Sequence, residues 1–223
     1  INEEITLTDG VETTVTSGVL IKNDDGSKTV SKIEKRLEMK VKTIGGSLIT
    51  IKANDDDDSK APNITFENIT ISGAERPTNP KAFNLFALHS GTLTLQDTIL
   101  SSIYSSAQGG VVKVLGGNLV MSSTKEVGTQ ITGSKSSDGV LFVSNGTVKI
   151  MGANETSQVQ FIGNTTSYGA LYVESGEVEA EYVTFSGNIA DFGGAVYLAK
   201  RETKDGEEVA FKVSFKNATF EEN

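Results

Sequence analysis

A sequence pattern that occurs twice between Asp138 and Asn188 constrains the fold of this chain more than any other feature. Each of its two rounds contains three short segments of alternating apolar and polar residues, separated by turns rich in Gly, Asn and Ser. The segments are 138–143, 146–150 and 159–164 in the first round, and 168–173, 176–180 and 183–188 in the second. Self-similarity at a period of roughly 20 to 50 residues predicts a solenoid of stacked repeats.

The same pattern extends over six rounds from residue 48 onward. The expected first strands are 48–51, 85–88, 111–114, 140–143, 170–173 and 195–198; the second are 64–66, 93–95, 119–121, 148–150, 178–180 and 213–215; the third are 69–71, 98–100, 129–131, 159–161, 183–185 and 218–220. Such short strands suit a coil in which each strand pairs with its counterpart one round away. The sequence therefore predicts an all-β fold, a right-handed parallel β-helix of about six three-stranded coils of roughly 25–30 residues.

Inward-facing positions give this prediction its sharpest test, because every second side chain of a strand points to the same face. On the first strands the two columns are Phe86, Val112, Leu141, Leu171 and Val196, and Leu88, Val114, Val143, Val173 and Leu198. On the third strands they are Val159, Val183 and Ala218, and Phe161, Phe185 and Phe220. Every member is apolar, so we expect the columns to stack into a continuous core.

The first 47 residues are less regular. Short strands are expected at 5–7, 19–21 and 37–42, the last because apolar and charged residues alternate there. The apolar spacing over 33–44 also fits one face of a short helix, and that alternative stays open. We predict an N-terminal β cap with a first irregular coil at 1–47, and a β-helix at 48–223 that continues beyond the last residue.

Insertions between the strands are expected to project as loops. They are 52–63, 73–84, 122–128, 152–158 and 199–212, and the last carries the hairpin-turn signal Asp205-Gly206. Four consecutive carboxylates in the first loop could offer oxygen ligands to calcium: Asp55, Asp56, Asp57 and Asp58. They lack the spaced ligands and glycine of a known binding loop, so a solvated acidic loop is the preferred interpretation. No metal and no cofactor is predicted.

Charge and composition exclude several classes of function. The net charge of −9 argues against nucleic acid and anionic membrane surfaces, which both attract clustered Lys and Arg. The absence of Cys excludes disulfides and thiolate metal sites. No apolar run approaches the roughly 20 residues that a membrane-spanning helix needs.

Two short motifs recur at the ends of the rounds. Phe-x-x-Asn occurs at 161–164, 185–188 and 220–223, and Gly-Gly-Ala-Val occurs at 193–196, with weaker forms at 168–171 and 109–112. Physically, Phe fills an inward column, whereas Asn suits a corner because it tolerates the left-handed conformation and can stack in a ladder. Together the motifs resemble the repeats of chlamydial polymorphic membrane proteins and similar surface β-helix proteins. That resemblance implies a surface-exposed right-handed β-helix, often an autotransporter passenger that acts in adhesion.

The outward position of the first strands is the main candidate for a binding site. It is occupied in successive rounds by Ala87, Lys113, Phe142, Tyr172 and Tyr197. Three aligned aromatic residues would form an exposed stripe able to grip a sugar ring or a partner surface. Alternatively, they stabilise neighbouring strands or lie beneath a loop such as 199–212.

No catalytic constellation is visible. A polysaccharide-active β-helix needs close carboxylates, or a base with cationic neighbours, in a cleft. The outward positions of the second and third strands show no such column, and Lys149 beside Glu179 is better interpreted as a cross-strand ion pair. The one histidine, His89, sits in a Ser-Gly turn. We therefore expect no enzyme, with a polysaccharide lyase or hydrolase as the remaining enzymatic alternative.

Six Asn-x-Thr sequons fall in or beside predicted turns. They begin at Asn63, Asn68, Asn145, Asn154, Asn164 and Asn217. They are consistent with a secreted glycoprotein, but turns are rich in Asn and Thr for conformational reasons alone. Both interpretations stay open.

The sequence leads to one main functional hypothesis and one from another class. The main hypothesis is an extracellular or cell-surface module acting in adhesion or as a structural spacer, whose partner is a protein or glycan on a host or neighbouring cell. The other is a subunit that self-associates end to end into an extracellular filament or sheath. Neither nucleic acid nor a membrane span enters either hypothesis.

Overall fold

The computed structural model describes residues 46–53, 61–73, 76–199 and 211–223, together with the backbone of five strands between residues 5 and 41. In chain order the strands are β1 (Ile5–Leu7), β2 (Glu12–Thr16), β3 (Gly18–Lys22), β4 (Lys28–Lys32), β5 (Leu37–Val41), β6 (Gly46–Ile51), β7 (Asn63–Glu67), β8 (Ile69–Gly73), β9 (Phe83–Leu88), β10 (Thr92–Gln96), β11 (Ile99–Ser101), β12 (Val112–Val114), β13 (Asn118–Ser123), β14 (Gln130–Thr132), β15 (Leu141–Val143), β16 (Thr147–Gly152), β17 (Val159–Ile162), β18 (Thr165–Tyr168), β19 (Leu171–Val173), β20 (Gly176–Ser186), β21 (Ile189–Phe192), β22 (Val196–Leu198) and β23 (Phe211–Glu221). Within the described residues every regular element is a strand, so the predicted all-β class is confirmed.

One sheet collects the first strand of every round. Its seven strands run in the order β1-β6-β9-β12-β15-β19-β22, and each pair is parallel. Neighbours in this sheet are therefore one round apart in the sequence. This is the pairing that the repeat predicts, and the registers align the columns proposed from the sequence.

The second and third strands form two parallel runs that meet in one twelve-stranded sheet. The second strands run β2-β7-β10-β13-β16-β20, and the third strands run β17-β14-β11-β8-β5 away from the same β20. The long strand β20 pairs with β16 along its first half and with β17 along its second half, and β23 pairs with it on the other side. Parallel stacking of this kind is compatible with a β-solenoid.

Two smaller sheets make the arrangement mixed. β18 and β21 form a short parallel pair, whereas β3 and β4 form an antiparallel hairpin. In the N-terminal segment, β1, β2 and β5 pair with β6, β7 and β8 in the same manner as the later rounds. The strand at Leu37–Val41 overturns the helical alternative for that segment. The predicted Asp205-Gly206 hairpin lies outside the described residues.

The predicted inward columns form the core. Phe86, Val112, Leu141 and Leu171 are all fully buried and in register. On the third strands the rings of Phe161 and Phe185 stack with centroids 4.7 Å apart, and those of Phe185 and Phe220 with centroids 5.2 Å apart. At β22 and β23 burial falls, and Leu198 and Phe220 are exposed, because the described sheets give these strands a neighbour on one side only.

Two third strands begin one residue later than predicted. They start at Ile99 and Gln130 because the preceding threonines turn inward and hydrogen-bond around the corner. The Oγ1 of Thr98 donates to the carbonyl of Phe66, and the backbone N–H of Thr98 donates to Oγ1 of Thr129. Both threonines are fully buried, so their hydroxyls satisfy backbone groups that the corner would leave without partners.

The asparagines of Phe-x-x-Asn form a ladder at the corner after the third strand, in which Asn164 and Asn188 are buried and Asn223 is exposed. Backbone N–H groups donate from Ser134 to Oδ1 of Asn164, from Asn164 to Oδ1 of Asn188, and from Asn188 to Oδ1 of Asn223, each at 3.1 Å. The left-handed conformation falls on the residue before this corner position in each of five successive rounds: Ser102, Gly133, Gly163, Gly187 and Glu222. The asparagines of the motif do not themselves adopt the left-handed conformation that Asn tolerates, whereas their predicted stacking in a ladder is confirmed. We refer to Asn164, Asn188 and Asn223 as the Asn ladder.

Candidate functional site

The outward residues of the first strands align as the sequence predicted. Lys113 pairs in register with Phe142, Phe142 with Tyr172, and Tyr172 with Tyr197. The ring centroids of Phe142 and Tyr172 are 5.1 Å apart with planes 15° apart, and those of Tyr172 and Tyr197 are 5.3 Å apart with planes 24° apart. These are stacked geometries, because parallel strand pairing brings equivalent side chains close together along the sheet.

Phe142 does not belong to an exposed stripe. Only 2% of it is accessible to solvent. The turn at Gly109 passes close to the outer side of its strand. A Cβ placed on Gly109 would lie 2.8 Å from the Cβ of Phe142, which shows how closely the backbone approaches. Tyr172 and Tyr197 remain half-buried. The exposure expected for Phe142 was wrong, so this ring forms the covered base of the stack and the two tyrosines provide its accessible part.

Two further aromatic residues join the stack, and the strand pattern of the repeat did not predict either of them. Tyr168 and Phe192 are in register with each other, with ring centroids 5.2 Å apart. The ring centroid of Tyr168 lies 5.9 Å from that of Tyr172 and 4.8 Å from that of Tyr197. We call Phe142, Tyr168, Tyr172, Phe192 and Tyr197 the aromatic cluster. Its second row could have been found from the residue before each turn glycine, which is Gln108, Asp138, Tyr168 and Phe192 in successive rounds.

Accessibility increases along the cluster in the direction of the last rounds. Tyr168, Tyr172 and Tyr197 are half-buried, and Phe192 is 57% exposed. Ile189 on the same strand as Phe192 is 67% exposed, so the exposed ring lies in a larger apolar area. Exposed apolar and aromatic patches of this kind are enriched at binding sites.

Two carboxylates act electrostatically on the centre of the cluster. Burial raises the pKa of Tyr172 to about 12, and the negative charges of Glu174 and Asp138 add to the effect. Nε2 of Gln108 donates a 2.7 Å hydrogen bond to Oδ2 of Asp138, which holds that carboxylate in place. The Tyr172 phenol therefore stays neutral at all physiological pH values and lies in a region of negative potential.

A cation occupies the opposite end of the cluster. Nζ of Lys113 lies 5.4 Å from the ring centroid of Phe142, within the range of a cation–π interaction. One round earlier, burial lowers the pKa of His89, and the positive charges of Lys52 and Lys113 lower it further. His89 is therefore predominantly neutral at neutral pH, and it has no carboxylate among the groups that shift its pKa.

The outer face of the second strands, in the twelve-stranded sheet, carries cross-strand ion pairs. Nζ of Lys212 lies 2.6 Å from Oε1 of Glu177, and this bond lowers the pKa of Glu177 and raises that of Lys212. Lys216 and Glu181 form the equivalent pair. Lys149 and Glu179 are neighbours in register, but the ion pair predicted between them is not formed; the ion pairs of this described face join β20 to β23 instead. The sign of the charges changes from one strand to the next, because β20 carries glutamates where β23 carries lysines, and this is the pattern of a solvated sheet face.

The sequon asparagines lie in two environments. Those at Asn63, Asn145, Asn154 and Asn217 are exposed, whereas those at Asn68 and Asn164 are buried. Nδ2 of Asn164 donates to the carbonyl of Ile131 at 2.9 Å and to Oδ1 of Asn188 at 3.0 Å. The amide nitrogen of Asn164 is thus committed to the Asn ladder inside the folded chain.

The candidate calcium loop of Asp55, Asp56, Asp57 and Asp58 lies outside the described residues. Among the residues that are described, no three His, Cys, Asp or Glu side chains come together as a metal site. In the same part of the chain, no helix is long and apolar enough to cross a membrane.

Comparison with known proteins leaves the geometry as the only guide to function. No protein-family model matches the chain, and neither a curated protein nor a solved structure shows significant similarity to it.

Proposed function

We propose that this chain is a right-handed parallel β-helix that works outside the cell or at its surface, where it acts in adhesion through the aromatic cluster. Parallel pairing of every first, second and third strand with its counterpart one round away supports a continuous solenoid. The proposed right-handed winding rests on the general preference for right-handed crossover connections between parallel strands. The buried Phe and Asn columns give the resemblance to surface β-helix repeats a physical basis, because they hold successive rounds in register.

A single observation carries the adhesive role. The aromatic cluster combines a covered base, Phe142, with half-buried tyrosines and the exposed ring of Phe192. Rigid aromatic side chains supply a large contact area at little conformational cost, and they dominate the energy of many interfaces. The stacked rows also hold the rings in place before any partner arrives.

Binding measurements on cells, matrix proteins and glycan arrays test the proposal. The wild-type chain is expected to bind at least one of these surfaces. The double substitution Phe192→Ser and Tyr197→Ser should weaken that binding by about ten-fold or more, because an aromatic hot spot contributes roughly 2 kcal/mol. Surface labelling of intact source cells tests the location.

Phe220→Ser is the matched control for loss of an exposed aromatic ring. Phe220 is 49% exposed, close to the 57% of Phe192, but it belongs to the third-strand column and not to the cluster. This control should bind like the wild type, provided that circular dichroism shows both variants to be folded. Equal binding by all three proteins, or no binding by the wild type, would refute the adhesive role.

A further inference from the structure

We propose that the aromatic cluster receives lysine or arginine side chains from a basic segment of a protein partner. This inference rests on the proposed adhesive function and specifies its chemistry. Aromatic rings alone do not distinguish a sugar, an apolar side chain and a cation, because all three can lie against a ring face. The charges around this cluster favour a cation over a sugar or an apolar side chain.

Two carboxylates place negative charge beside the rings. Asp138 occupies the row of Tyr168 and Phe192, one round earlier, and Glu174 follows the strand that carries Tyr172. The electrostatic influence of both reaches the Tyr172 phenol. A cation gains from the carboxylates and from the ring faces together, since the face of an aromatic ring is itself negative. An anionic group is repelled by the same arrangement.

The chain contains an example of the contact on its own surface. The ammonium group of Lys113 lies over the ring of Phe142, at the covered end of the aromatic stack. In the three following rounds the position equivalent to Lys113 holds Phe142, Tyr172 and Tyr197, so the first strands supply no cation there. The rings at that end are the accessible ones, so a partner can supply the cation there.

Charge at the level of the whole chain points the same way. A net charge of −9 attracts basic partners over distances of the order of the Debye length, about 8 to 10 Å at physiological salt. The accessible rings and their carboxylates would then retain the partner after encounter. Complementary charge thus favours a basic protein segment over an acidic polysaccharide.

Fluorescence anisotropy with labelled probes tests the inference on the whole chain. The probes are a peptide carrying four lysines, its arginine counterpart, a matched peptide carrying four glutamates, and a neutral oligosaccharide. The two basic peptides should bind, and their affinity should fall about three- to ten-fold when salt is raised from low to high concentration. The acidic peptide and the neutral oligosaccharide should bind at least about ten-fold more weakly than the basic peptides.

Three variants separate charge from apolar contact. Tyr197→Leu keeps an apolar side chain but removes the ring, and should weaken basic-peptide binding about two- to thirty-fold, the range of a cation–π contact. Glu174→Gln removes a charge at almost constant shape and should weaken it several-fold. Phe220→Leu removes an exposed ring outside the cluster and should leave the affinity within about two-fold of the wild type.

The two proposals fail in different ways. If the wild type adheres to cells or glycans but does not bind the basic peptides, the inference is overturned and the adhesive function stands. Tighter binding of the neutral oligosaccharide or the acidic peptide, or unchanged basic-peptide binding by both Tyr197→Leu and Glu174→Gln, also overturns it. Absence of binding in both sets of experiments overturns the inference together with the proposed function.

Discussion

Replacement of Asn188 by Ala should destabilise the chain more than most single substitutions. Its Nδ2 donates to the carbonyl of Phe161 at 2.9 Å and to Oδ1 of Asn223 at 2.8 Å. Its Oδ1 accepts the backbone N–H of Asn164 at 3.1 Å and the Nδ2 of the same residue at 3.0 Å. Only 1% of Asn188 is exposed, so water does not replace these partners without rearrangement.

The expected magnitude follows from the groups left behind. Asn188→Ala removes a donor from the buried Phe161 carbonyl and an acceptor from the buried Asn164 N–H. A buried polar group that loses its partner costs roughly 1–3 kcal/mol, which gives about 2–6 kcal/mol for the pair. Urea unfolding followed by circular dichroism measures the change through the midpoint and slope of the transition.

Asn145→Ala is the control, because that asparagine is exposed in a turn. Its substitution should change the free energy of unfolding by no more than about 0.5 kcal/mol. A loss below about 1 kcal/mol for Asn188→Ala would refute the reasoning, because it would mean that the ladder contributes no more than an ordinary surface contact.

Three further predictions concern the core, the turns and the titration of the cluster. Phe161→Ala should lower the free energy of unfolding, measured with urea, by about 3–5 kcal/mol, because it leaves a cavity in the core between Ile131 and Phe185. Gly139→Ala should lower the free energy of unfolding more than Gly163→Ala in the same assay. Both glycines have positive φ, but a Cβ at Gly139 would lie 2.6 Å from the Leu141 carbonyl oxygen, whereas a Cβ at Gly163 would meet nothing within 4 Å. Between pH 10 and about 12 the unfolded chain loses the Tyr172 proton while the folded chain keeps it, so stability should fall with rising pH in that window. Tyr172→Phe should show a smaller fall, and equal slopes for the two proteins would contradict the assigned pKa.

The strand columns were predictable because the side-chain period of a strand and the period of the repeat reinforce each other. A register error of one residue would move Phe86 or Leu141 from the core to the outside, so the apolar pattern admits a single alignment. The corner at Thr98 was harder to place. Its position depends on where a buried hydroxyl finds a backbone partner, and alternation carries no information about that.

The candidate site was predictable in part. Alignment of Phe142, Tyr172 and Tyr197 follows from spacing, but the burial of Phe142 depends on its three-dimensional surroundings, which strand alternation does not specify. The second aromatic row, Tyr168 and Phe192, was missed because it lies outside the three strands that the repeat identifies. Its members share a position before a turn glycine, and that position becomes meaningful only when the turn is known to cross the sheet.

The Asn ladder also makes it possible to measure how the last rounds open, through hydrogen exchange of the amides that it shields. Each rung shields the backbone N–H of the round before it, so that proton exchanges with solvent only after the following round has opened. In a stack where each round contacts its neighbours alone, opening starts at an end. Exchange rates of the amides of Asn188, Asn164 and Ser134 would therefore form a graded series, and the slope of that series would measure how strongly one round holds the next.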